Sequence, residues 1–107
     1  MDRDLLTVMV DSLGAIGALS HPSAGIGGEA LPEAVVESVR ALGTAATGLS
    51  AGLRQRRPEV PWGRLSDLAE RMAPGYGPDD AEAVRNFAAR EVPLLDMQLR
   101  SVLGSLA

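Results

Sequence analysis

The sequence predicts an all-α protein, an up-and-down bundle of four to five helices in a single domain covering residues 1–107. Three observations carry this expectation. Apolar residues recur at steps of three and four along most of the chain, no stretch alternates with a period of two, and the Pro residues fall at or between the ends of the periodic runs. A chain of 107 residues has room for one core.

The elements follow in order. Leu6, Met9, Leu13 and Ile16 share one face of a first helix running from Asp2 to about Leu19, and Asp2 or Asp4 suits the positive end of its dipole. Ser20 to Gly28, which includes His21, holds too much Gly and Pro for a regular element and reads as a loop. Pro32 fits the first turn of a second helix. Along it Val35, Val39, Leu42, Ala46, Leu49 and Leu53 step by four and three, the seam of a long bundle helix reaching about Arg56 with an irregularity over residues 47–50. Pro58 stops it, behind the cations Arg54, Arg56 and Arg57.

Pro61 and Trp62 open a third helix with Leu65, Leu68 and Met72 as its buried stripe, ending by Ala73 because Pro74 follows. Gly75 and Gly77 make the turn. Asp79 or Asp80 is the expected cap of a fourth helix with Ala81, Val84, Phe87 and Ala88 inside, and Pro93 either starts a final helix or kinks the same one. Leu95, Leu99, Val102 and Leu106 carry the last seam.

Composition narrows the function. A formal charge of −4 and a pI near 4.8 argue against nucleic-acid binding by bulk attraction, which leaves only a local basic patch for that role. The chain has no cysteine and one histidine, so thiolate and imidazole-rich metal sites are excluded, and neither a metal nor another cofactor is expected. The longest charge-free run, Ser12 to Gly28, is interrupted by Ser20, His21, Pro22 and several glycines and falls short of a membrane span. With no secretory character at the N-terminus, the expected compartment is the cytoplasm. All basic residues are Arg.

Gly14, Gly17, Gly43, Gly48 and Gly52 all lie inside predicted helices, where each costs about 1 kcal/mol relative to Ala. Together these costs rival the whole stability of a small domain. Tight helix contacts and a stabilising partner surface, most simply a homodimer, are therefore expected.

The stretch from Arg57 to Tyr76 holds the sole Trp and the sole Tyr. Its Pro58-Glu59-Val60-Pro61-Trp62, then Gly75-Tyr76, then Asp80-x-Glu82 leading through Val84 to Val92-Pro93, resemble in order and spacing the HepT-like family of HEPN proteins, over about Leu53 to Leu99. The resemblance implies a helical bundle that dimerises with the ends of its third helices at the two-fold axis. It also implies metal-independent RNA cleavage and a minimal nucleotidyltransferase antitoxin that attaches AMP to the motif tyrosine.

Position by position, the chain departs from that motif. Ala69 stands where the family has its Arg, Glu70 where it has a polar Asn or Asp, and Pro74 where it has its His; Tyr76 alone matches. General acid–base help is worth about 10² to 10⁴ in rate, and a preorganised charge donor about 10² to 10³. The expected function is therefore that of a HepT-like protein without cleavage activity, working through dimerisation and partner binding. The alternative is a ribonuclease toxin with residual activity, regulated by AMPylation at Tyr76; a third reading is a bundle holding a small ligand between its helices.

The candidate residues each carry two readings. Tyr76 is either an AMP acceptor and RNA-contacting hydroxyl or a tyrosine packed over a turn. Arg57, Arg64 and Arg71, with Arg54 and Arg56, suit phosphate bidentately or are solvated cations at helix ends. A rescue by Arg71 with Glu70 is disfavoured, because the spacing points them away from the lost positions. Trp62 reads as a core anchor, His21 as exposed and inert, and Asp79, Asp80 and Glu82 as a helix start rather than a metal site.

Overall fold

The computed structural model describes residues 2–18 and 31–106, and every regular element among them is helical. α1 spans Asp2–Gly17, α2 Glu33–Gly48, α3 Ala51–Arg56, α4 Trp62–Arg71, α5 Pro78–Arg90 and α6 Val92–Ser105. The loop expected around His21 and the end of the first helix at Leu19 lie outside the described residues.

There are six described helices rather than four or five because two long rods are interrupted. The first break follows Thr47-Gly48, where helix propensity is weak. Leu49 turns extended (φ −67°, ψ 151°), and Ser50 restarts the chain as the N-cap of α3, its Oγ accepting from the Leu53 N–H at 3.3 Å. The apolar seam crosses the break intact, with Val35, Val39, Leu42, Ala46, Leu49 and Leu53 all buried. The second break is at Glu91 (φ −111°, ψ −30°), two residues before Pro93, whose missing N–H interrupts the helical ladder. Bonds from Glu91 N to Phe87 O and from Leu95 N to Glu91 O, both 2.9 Å, keep α5 and α6 running as one kinked rod.

Expected caps are corrected in one place. Neither Asp79 nor Asp80 is the N-cap of α5; Gly77 is, with Pro78 inside the first turn. Asp80 serves instead from the third helical position, its Oδ2 accepting from the Gly77 N–H at 3.0 Å.

Contacts between the rods fix an up-and-down order. Gly48 near the end of α2 meets Leu5 near the start of α1, so these two run antiparallel. Arg40 reaches Met72 while Thr47 meets Ser66, so α2 and α4 are antiparallel as well. Arg64 pairs with Glu91 and Arg71 with Asp80, which sets α5 against α4. Gly17 meets Val92, bringing the start of α6 back to the end of α1 and closing the ring. Leu6, Met9, Leu13, Ile16, Leu42, Leu65, Met72, Phe87 and Leu99 are fully buried at its centre. Leu106 lies past the end of α6 and is only partly buried. No helix among the described residues is long and apolar enough to cross a membrane.

One polar tie responds to acid. Asp2 accepts through Oδ1 from the Ser50 N–H at 3.1 Å and through Oδ2 from the Ser50 hydroxyl at 2.7 Å, fastening α1 to the start of α3. These bonds hold its pKa below the usual carboxylate value. A carboxylate with a lowered folded pKa stabilises the protein above its unfolded pKa of about 3.9, and the contribution fades as pH falls through the lower folded value. Urea denaturation as a function of pH should therefore show an acid loss below about pH 4 that Asp2→Asn diminishes. An unchanged acid limb would place the dependence on other carboxylates.

Candidate functional site

Ala69, Glu70, Pro74 and Tyr76, the positions singled out by the sequence resemblance, lie at the C-terminal end of α4 and in the turn that follows. Ala69 faces α2, where a Cβ on Gly43 would overlap the Ala69 Cβ and stand 3.0 Å from the Leu65 carbonyl oxygen. The two helices approach this closely because residue 43 has no side chain. Beside the crossing lies an open groove of about 560 Å³ lined by Arg40, Gly43, Thr44, Thr47, Gly48, Ser66, Ala69 and Glu70. Thr47 donates to the Gly43 carbonyl at 2.9 Å, and its Oγ1 is 3.1 Å from Ser66 Oγ, so part of the groove's polar lining is already engaged.

Arg40 crosses from α2 and donates through Nε to the Met72 carbonyl at 2.9 Å, with Nη2 bonding the same oxygen. A guanidinium at the end of α4 satisfies an orphan carbonyl and faces the negative pole of the helix. Beyond it the chain turns through exposed Ala73 and Pro74 to Gly75, whose φ of +86° only glycine adopts without strain. Tyr76 follows, its N–H donating to Ala73 O at 3.1 Å.

Tyr76 packs its ring against the core while its hydroxyl oxygen accepts from the Leu31 N–H at 3.1 Å. The phenol thus ties the turn after α4 to the residue leading into α2. Trp62, at the other end of α4, is built alike: its ring is half-buried on the core and Nε1 donates to the Arg57 carbonyl at 3.0 Å.

The three arginines expected to meet RNA do not converge. Arg64 binds the Glu91 carboxylate with two nitrogens, Nε to Oε1 at 2.6 Å, and this pairing holds its guanidinium still further into the charged range. Arg71 pairs with Asp80 at 3.1 Å. These two sit about 10 Å apart along α4, and each latches a different end of α5. Arg57 turns the other way, to Glu59 at 2.9 Å and the Ser101 hydroxyl at 3.3 Å. Such half-exposed pairs contribute little to stability, yet each gives a phosphate a carboxylate to compete with. Arg54 and Arg56 form no ion pair among the described residues, and Arg54 Nε is buried without a hydrogen-bond partner.

Among the described residues no three potential metal ligands come together. Asp80 is spent on the Gly77 N–H and on Arg71, while Asp79 and Glu82 are exposed on the first turns of α5. Sequence reasoning missed Arg40 and the α2–α4 groove, since Arg40 and Met72 are 32 residues apart and no local spacing signals their contact. No family model, no curated protein and no solved structure matches the chain.

Proposed function

We propose that this chain is a HepT-like helical protein without RNA-cleavage chemistry, acting through self-association and the binding of a partner protein. By the family resemblance, that partner is a minimal nucleotidyltransferase antitoxin. The observation that carries the reading is Ala69 seated on Gly43: the motif's arginine position is given over to the packing of α2 on α4. Two further observations support it. The histidine position holds Pro74, which cannot carry a proton, in an exposed turn. The Tyr76 hydroxyl is occupied with the Leu31 N–H, a structural use of the one motif residue retained.

The test is induced expression of the chain and of Tyr76→Phe, together with incubation of each purified protein with RNA without metal. Neither is expected to arrest growth or cleave RNA, and Tyr76→Phe should lose only about 1 kcal/mol of stability with its hydrogen bond. Growth arrest or cleavage by the unaltered chain that Tyr76→Phe abolishes would make it a ribonuclease toxin instead.

A further inference from the structure

The groove between α2 and α4 keeps polar groups that the fold's own bonds do not use. Arg40 gives Nε and Nη2 to the Met72 carbonyl, which leaves Nη1 and the second Nη2 hydrogen without a partner among the described residues. Those two bonds hold the guanidinium in place, so its outer edge is a fixed fork of the kind that takes a carboxylate bidentately. Glu70 lines the same groove from the C-terminal end of α4, yet it forms no ion pair with Arg40 or with any other described residue. The two charges border one space without meeting across it.

The rest of the lining is hydroxyl and short apolar surface. Thr47 spends its proton on the Gly43 carbonyl, so in its 3.1 Å contact with Ser66 the serine is the donor, and the Ser66 oxygen keeps room to accept. The exposed Thr44 hydroxyl makes no hydrogen bond among the described residues. Gly43 and Ala69, which meet where the two helices cross, add apolar surface without bulk. A volume of about 560 Å³ is of the size that holds small molecules. An anion alone would be drawn to Arg40 and repelled by Glu70, and a cation alone the reverse. A molecule carrying both charges satisfies both walls at once.

We propose that the α2–α4 groove binds a small zwitterion of the amino-acid class, with its carboxylate on Arg40, its ammonium on Glu70 and its apolar side chain over Gly43 and Ala69. The inference goes beyond the proposed function and needs neither self-association nor a partner protein. Because Arg40 stands on α2 and Glu70 on α4, the ligand bridges the two helices.

Amide correlation spectra of the full chain, titrated at neutral pH with L-leucine to about 20 mM, test it. Saturable shifts are expected at the Arg40 Nε–H and at the amides lining the groove, with a Kd of about 1 mM, as suits a small ligand in an open site. Isocaproate, which lacks the ammonium, and isoamylamine, which lacks the carboxylate, should each bind at least about tenfold more weakly. Arg40→Gln and Glu70→Gln should each weaken L-leucine by a similar factor. Glu70→Gln should also close the gap between L-leucine and isocaproate, a change that a merely structural role for Glu70 would not produce. Arg40→Gln frees the Met72 carbonyl, so where its spectrum shows a lost fold, Glu70→Gln, whose side chain bonds nothing among the described residues, decides the matter. No saturable shift at about 20 mM would overturn the proposal, and so would shifts lying outside the groove. Equal binding of isocaproate or of inorganic phosphate by the unaltered chain would make Arg40 a plain anion contact and overturn it as well.

Discussion

Phe87→Ala is expected to lower the unfolding free energy by about 3 to 5 kcal/mol, the largest loss of any single substitution considered for this chain. Three aromatic residues serve 107 positions, and Trp62 and Tyr76 are only partly buried, each with its polar atom tied to backbone. Phe87 alone is wholly inside, at 0% exposure. The other buried residues of α5 are Ala81, Val84 and Ala88, which offer little volume to refill the space a lost ring would leave. For a domain whose stability is of order 5 to 15 kcal/mol, such a loss leaves a protein near its folding threshold. Urea unfolding should show a lower midpoint with an unchanged slope. A loss below about 1 kcal/mol would mean that α5 closes over the gap, which Ala81 and Ala88 give no reason to expect.

How far the sequence speaks for the structure depends on the range of the interaction. Leu6, Met9, Leu13 and Ile16 are within one helix, and a period of 3.6 residues suffices to place them; all four are fully buried. The seam from Val35 to Leu53 was legible for the same reason, and so was the weakness at residues 47–50, though not that Ser50 would cap a separate helix there. The kink at Glu91 follows from Pro93. Interactions between helices left no such trace. The Tyr76 hydroxyl meets the Leu31 N–H across 45 residues of chain, Arg64 meets Glu91 across 27, and Arg40 meets Met72 across 32. Arg64 and Arg71 could be read as cations near helix ends, but their carboxylate partners Glu91 and Asp80 could not, because those lie on the next helix, whereas Glu59 is only two residues from Arg57. The motif comparison located Ala69, Pro74 and Tyr76 without revealing that Gly43 is what Ala69 serves.

That crossing yields the second large effect. Gly43→Leu is expected to cost about 3 kcal/mol, and Gly43→Ala about 1 kcal/mol, although alanine is the better helix former by nearly the same amount. The sign turns on what a new Cβ would meet. At residue 43 it would run into the Ala69 Cβ, with the Leu65 carbonyl oxygen at 3.0 Å and the Ala69 Cα at 3.6 Å. These are backbone and near-backbone atoms that cannot rotate aside, so α2 and α4 must separate and lose contact along their length. Gly14 supplies the contrast: nothing stands within 4 Å of its Cβ position, and there the propensity gain should appear unopposed. A double-mutant cycle isolates the clash. Ala69→Gly alone weakens α4 by about 1 kcal/mol, but in the Gly43→Ala background it removes the obstructing Cβ, so the pair should couple favourably by about 1 to 2 kcal/mol. Strict additivity in urea unfolding would mean that residues 43 and 69 do not touch in solution. Coupling would mean that any larger side chain placed at position 69 must come with a rebuilt α2–α4 crossing, since the same Cβ direction serves the packing.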